Sequence, residues 1–78
     1  MPPKPPTIHN RIVELRKERE ETQEDLANAL GVSRQTVISI EGLKYNPSLP
    51  LAFQIAAHFG TPIEEIFYED HSVNGTGN

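Results

Sequence analysis

The sequence predicts an all-α fold of five short helices in one small domain. Two observations carry this reading: apolar residues recur at three- and four-residue spacing, and Ser, Thr, Pro and Gly fall where helix ends need them. A third is negative, since no stretch sustains the alternation of a half-buried strand. Seventy-eight residues suffice for one domain with a modest core, and 36% hydrophobic with 23% charged residues is the balance of a globular chain, not a disordered one. With so small a core, oligomerisation is a natural further source of stability.

Residues 1–7 hold four prolines and read as a disordered, extended arm, although "PPKPP" also has the form of a polyproline ligand. The folded domain spans residues 8–70. Its first helix is expected over residues 9–20, with Ile12, Leu15 and Ile8 on one side. Thr22 caps a second helix, residues 23–30, and Asp25 at the third helical position approximates a capping box. Gly31 ends it, because a residue without Cβ takes the left-handed conformation at little cost. Ser33 caps a third helix reaching about Glu41. Ser48 caps a fourth, from Leu49 to about Phe59, with Pro50 in the first turn, where its missing N–H costs no intrahelical bond, and Gly60 closes it. In "TPIEEIF", Thr61 is the expected cap of a fifth helix, with Pro62 at its first position and Glu64 at its third. The tail, residues 71–78, is polar, contains glycine and is expected to be flexible.

The net charge of −4 argues against a nucleic-acid partner if taken as an average, because phosphate neutralisation dominates such affinity. The charges are segregated, however. Residues 1–19 are locally +3 and residues 31–63 locally +1, while Glu20, Glu21, Glu24 and Asp25 form one acidic cluster and Glu64, Glu65, Glu69 and Asp70 another. Local charge decides binding. With no cysteine, disulfides, thiolate metal sites and thiol nucleophiles are excluded. The start "MPPKPPTIHN" lacks an apolar signal core and no apolar run approaches spanning length, so a cytoplasmic protein without membrane contact is expected.

Helices two and three are separated by a turn of about three residues containing a glycine, the layout of a helix-turn-helix. Counted from Gln23, positions four, eight, ten, fifteen and eighteen are Leu26, Leu30, Val32, Val37 and Ile40, all apolar as a seam between crossing helices requires. Position five is Ala27, small enough for close approach, and position nine is Gly31, at the sharp turn. Between Gly31 and Glu41 the one charged residue is Arg34, so the third helix keeps a polar face without carboxylates until its end.

With "TQEDLANALGVSRQTVISIEGLKYNPSL" the chain resembles the phage repressor and Cro-like helix-turn-helix regulators, especially short stand-alone members, over roughly residues 9–68. The resemblance implies a five-helix lambda-repressor-like domain that binds double-stranded operator DNA as a symmetric homodimer, in a bacterial, archaeal or phage setting. The third helix is then the recognition helix in the major groove, where each base pair shows a distinct donor and acceptor pattern. Arg34 suits guanine O6 and N7, Gln35 suits adenine N6 and N7, and Thr36 and Ser39 complete the candidate base contacts. Ile38 suits either a thymine methyl or packing at the seam's edge. Candidate phosphate contacts are Gln23 at the start of helix two, Ser33, and Lys44, Tyr45 and Asn46, which match the family's loop "GKYNPS". Arg11 is a further candidate; Arg11 and Lys44 read equally as solvated cations. Relatives usually have glycine directly before the loop lysine, whereas this chain reads Gly42-Leu43-Lys44, which moves the expected turn one residue earlier. The resemblance further implies an ion pair between Arg16 and Glu41, and a dimer contact on helix five and beyond, drawn from Ile63, Ile66, Phe67 and Tyr68.

Enzymatic readings are weak. The cluster Glu20, Glu21, Glu24 and Asp25 reads as a solvated helix start. His9, His58 and His71 lack ligand spacing, and His58 is expected at the surface or edge of helix four. No metal, cofactor or small-molecule ligand is expected. Members of this fold also act as antitoxins or as controllers of restriction–modification operons, and the short polar tail disfavours the first of these.

Overall fold

The computed structural model describes residues 7–69. The proline-rich arm (Thr7 apart), Asp70 and the tail expected at residues 71–78 lie outside the described residues. The element order is β1 (Ile8–Asn10), α1 (Ile12–Glu18), α2 (Gln23–Leu30), α3 (Arg34–Glu41), α4 (Leu49–Phe59), α5 (Ile63–Ile66) and β2 (Phe67–Glu69). The five helices form the expected all-α domain, with one small addition of sheet.

Helices α2 and α3 make the most extensive contact of any two elements. Both ends of α2 are set by local chemistry. The Asp25 amide donates to Thr22 Oγ1 at 2.9 Å and the Thr22 amide donates to Asp25 Oδ2 at 3.0 Å, a complete capping box. Gly31 follows at φ +73°, and the Val32 amide reaches back to the Ala27 carbonyl at 3.0 Å. The return of the chain requires that left-handed residue. Ser33 then caps α3 through the Thr36 amide at 3.1 Å. Leu26, Ala27, Leu30, Val37 and Ile40 are all buried where the helices cross, with Val32 half-buried against them.

The Thr22 amide, and secondarily its hydroxyl, hold the Asp25 carboxyl below the ordinary carboxylate range. A depressed folded-state pKa gives stability that is present above the unfolded value and lost as pH falls through the folded one. Asp25→Ala is therefore expected to melt below the wild type at neutral pH, with the gap closing as pH drops below about 4. Thermal melts of both proteins across pH check this.

Helix one departs from the expected residues 9–20. Residues 8–10 form β1 instead, antiparallel to β2 with Ile8 opposite Glu69, His9 opposite Tyr68 and Asn10 opposite Phe67. The Arg11 amide extends the pairing to the Ile66 carbonyl at 2.9 Å. Long-range pairing thus takes the amides that would otherwise have begun a helix. Asn10 turns the chain into α1: its Oδ1 accepts the Ile12 amide at 3.2 Å.

Helix α5 also begins later than expected. Pro62, at ψ 146°, is the capping residue and not the first helical one, and α5 is a single turn. Thr61 is not the cap, because its hydroxyl donates to the Phe59 carbonyl at 3.1 Å across the α4–α5 turn. The core gathers Ile12 from α1, Leu51, Ile55 and Phe59 from α4 and Ile66 from α5 around the α2–α3 seam. Among the described residues no helix is long and apolar enough to cross a membrane.

Candidate nucleic-acid interface

The outward face of α3 is polar and open. Arg34 and Gln35 are exposed, Thr36 and Ser39 half-buried. Ser33, Gln35, Thr36 and Ser39 line a cleft of about 280 Å³ together with Tyr45 from the loop after α3. No carboxylate lines it. The Ser33 and Thr36 hydroxyls already share a hydrogen bond at 2.9 Å, so the capping residue and the base-contact candidate are oriented by one another.

The four arginines are not equivalent. Arg11 bonds Glu14, Arg16 bonds Glu41, and Arg19 donates to the His58 carbonyl. Arg34 alone of the four makes no side-chain hydrogen bond or ion pair among the described residues, and the side chains of Gln35 and Lys44 likewise make none. An exposed planar guanidinium, on a helix whose one carboxylate, Glu41, is bonded to Arg16 and Gln23, is poised to donate in parallel to a planar acceptor pair.

Three contacts fix how α3 sits on the domain. Arg16 Nε donates to Glu41 Oε2 at 2.8 Å and its Nη2 reaches Glu41 Oε1 at 3.3 Å, with side chains only 12% and 6% exposed. Gln23 Nε2 donates to the same Glu41 Oε1 at 3.0 Å. The one carboxylate on α3 is thereby drawn inward and neutralised. Asn10 Nδ2 holds the Ile40 carbonyl at 3.1 Å, so a single asparagine ties β1, α1 and the end of α3 together.

The loop after α3 corrects a sequence expectation. The turn does not come one residue early: Gly42 keeps φ −85°, and Leu43 takes the left-handed conformation at φ +62°. The Lys44 amide bonds the Ser39 carbonyl at 2.9 Å and the Leu43 amide bonds that of Ile40 at 3.1 Å, a helix ending that fixes where the left-handed residue stands. Gly42 has its own constraint, since a Cβ there would come within 3.3 Å of the Ile38 carbonyl. Leucine in this conformation costs about 1–2 kcal/mol, of which glycine's larger loss of freedom on folding returns part. Leu43→Gly is expected to raise stability by about 0.5–1 kcal/mol, read as a higher denaturant midpoint with unchanged slope.

Other expected site residues are placed differently from the reading of the sequence. The Gln23 side-chain amide is given to Glu41, so for phosphate Gln23 retains its backbone N–H at the start of α2. Arg11 donates to Glu14 and to the Glu65 carbonyl at 3.3 Å, exposed contacts that place it at the end of α5. Among the expected dimer residues Ile66 is 0% exposed and belongs to the core. Ile63 and Phe67 are half-buried, Phe67 against that core, and the exposed Tyr68 stacks on His9 with ring centroids 5.6 Å apart.

Glu21 is not part of a solvated helix start. Its Oε2 lies 2.7 Å from His58 Nε2, both side chains largely buried, while its carbonyl accepts from Arg16 Nη1 at 2.9 Å. Arg19 covers the Phe59 ring at 5.6 Å beside this pair. His58 thus locks the α1–α2 turn to the end of α4. No signal in the sequence pairs residues 37 positions apart in this way.

The fold agrees with known proteins. The helix-turn-helix family model matches residues 12–66. An HTH-type transcriptional regulator of Methanocaldococcus jannaschii is 70% identical over 50 residues, 63% of this chain and 76% of that protein. The cryptic phage CTXphi transcriptional repressor of Vibrio cholerae is 35% identical over 57 residues, 73% of this chain and 51% of that one. Among solved structures, the restriction–modification controller protein C.AhdI from Aeromonas hydrophila superposes with a TM-score of 0.65 at 31% identity, over 70% of this chain and 83% of its own. Joined to the α2–α3 geometry, these matches lead to one conclusion: the chain belongs to the helix-turn-helix family and is a transcriptional regulator with a helix-turn-helix DNA-binding domain, not an enzyme.

Proposed function

We propose that the protein represses transcription by binding an inverted-repeat operator as a homodimer, with α3 of each copy in the major groove. The observation that carries this reading is the contrast among the arginines: three are held by partners within the fold, and the fourth, Arg34, has no bonded partner among the described residues and stands beside Gln35 on a face without carboxylates. Arg34 and Gln35 read bases, and Ser39 and Thr36 supplement them from the floor of the cleft. Ser33, Lys44, Tyr45, Asn46 and the Gln23 amide take the flanking phosphates, which set register and carry no sequence information. The acidic clusters keep the chain off non-specific duplex, acting in the cytoplasm where its DNA lies.

One such domain offers few base contacts, and a twofold pair doubles them. Repression is favoured over activation by the likeness to a phage transcriptional repressor, and occupancy of a promoter requires no further surface. Selection from random duplex DNA tests the reading. It is expected to enrich an inverted repeat with half-site centres about 10 base pairs apart. Absence of any enriched sequence at low salt, where phosphate contacts are strongest, would overturn it.

A further inference from the structure

Helix α4 carries a face that the monomer leaves uncovered. Leu49 is 66% exposed and Phe53 59%, the two most exposed large apolar side chains among the described residues. They stand four residues apart on one side of the helix, with exposed Pro50, Gln54 and Ala57 beside them. No charged residue occurs between Lys44 and His58, in a chain whose net charge is −4.

We propose that this face of α4, centred on Leu49 and Phe53, is where a second copy of the chain docks. The inference rests on the homodimer reading above and specifies its surface. Symmetry supplies the first argument. In a twofold contact both copies present the same patch, so a patch whose charges are of one sign brings like charges together, most closely at the axis. A chain with carboxylates concentrated at residues 20–25 and 64–70 self-associates best through a face that has none, and α4 offers one.

Position supplies the second. Tyr45 lines the cleft on α3, and Leu49 follows four residues later, within about 14 Å along the chain. A contact there adjoins the reading face. Two α3 helices need such a contact to address one side of a duplex about 34 Å apart. The segment from α5 onward offers less apolar surface: Ile66 is buried in the core, Phe67 packs against it, Ile63 is half-buried and the exposed Tyr68 is stacked on His9. The area is modest. Two large apolar side chains and their small neighbours fall short of the roughly 800 Å² per partner of a standard interface, so the free dimer is weak and the operator strengthens it.

Sedimentation of the full chain over a concentration series tests the surface, comparing wild type with Leu49→Glu, Phe53→Glu, Phe53→Ser and Tyr68→Glu. Circular dichroism verifies folding, and Phe53→Ser serves if the charged variants do not fold. The wild type is expected to show a monomer–dimer equilibrium. The α4 variants are expected to raise its dissociation constant about thirtyfold or more, the loss typical of a central aromatic anchor. Tyr68→Glu is expected to leave it unchanged. A wild-type dimer insensitive to the α4 variants overturns this surface while the homodimer reading stands. A wild type that stays monomeric both free and on its selected duplex overturns that reading, and this surface with it.

Discussion

Replacing Glu41 by glutamine is expected to lower stability by about 3 kcal/mol, which in a domain this small is a fall of about 15 °C in Tm. The Glu41 carboxylate accepts from Arg16 Nε, Arg16 Nη2 and Gln23 Nε2, and both members of the pair are nearly removed from water. A neutral amide keeps the volume and loses the counter-charge, leaving a guanidinium buried beside it. The Glu21 carbonyl still accepts from Arg16 Nη1, which holds the loss near the lower end of the range for a broken buried pair. The cost of breaking the pair differs from its net worth. Arg16→Met combined with Glu41→Leu removes both charges and is expected to regain most of the lost stability. Thermal unfolding of the two variants decides the matter. An unchanged Tm in Glu41→Gln would mean that the pair does not hold α3 in place.

Arg34→Ala is expected to do the opposite, leaving stability within about 0.5 kcal/mol of wild type and removing most operator affinity. The side chain is exposed and has no partner among the described residues, so its loss disturbs nothing in the fold. In the complex, each bidentate contact to guanine discriminates by about 1–3 kcal/mol, and a twofold dimer loses two of them. Affinity for the operator is then expected to fall roughly a hundredfold to ten-thousandfold, measured by titration of a labelled duplex at fixed salt. A loss of less than about fivefold on the operator would remove Arg34 from the base-reading set.

The part of the fold most legible in the sequence is the α2–α3 unit, because its signals are local. Thr22, Asp25, Gly31 and Ser33 act on amides within a few residues of themselves, and Leu26, Leu30, Val37 and Ile40 are spaced by the helix period. Pairing between Ile8–Asn10 and Phe67–Glu69 was not legible, since three residues are too few to show alternation and the partner lies at the other end of the domain. For the same reason helix one was expected three residues too early. Ile66 could be recognised as apolar but not assigned to core or interface, a choice that depends on how the single turn of α5 packs.

The candidate site shows the same division. Gln35, Thr36 and Ser39 line one cleft and Arg34 is exposed at the start of the same helix, because α3 is capped where Ser33 says it is. What the sequence left out is what each polar group is already bonded to. Gln23 and Arg11 look as available as Arg34 until the structure shows the first on Glu41 and the second on Glu14. The turn after α3 was misplaced because the hydrogen bonds of Lys44 and Leu43 fix the left-handed residue at Leu43, whichever side chain stands there.

Whether Arg34 and Gln35 read base sequence is decided by parallel selections from one random duplex pool, with wild type and with Arg34→Ala. The wild type is expected to enrich an inverted repeat containing a guanine in each half-site, and the variant to lose preference at that position while keeping its neighbours. The same motif recovered with undiminished guanine preference from both proteins would contradict base reading by Arg34.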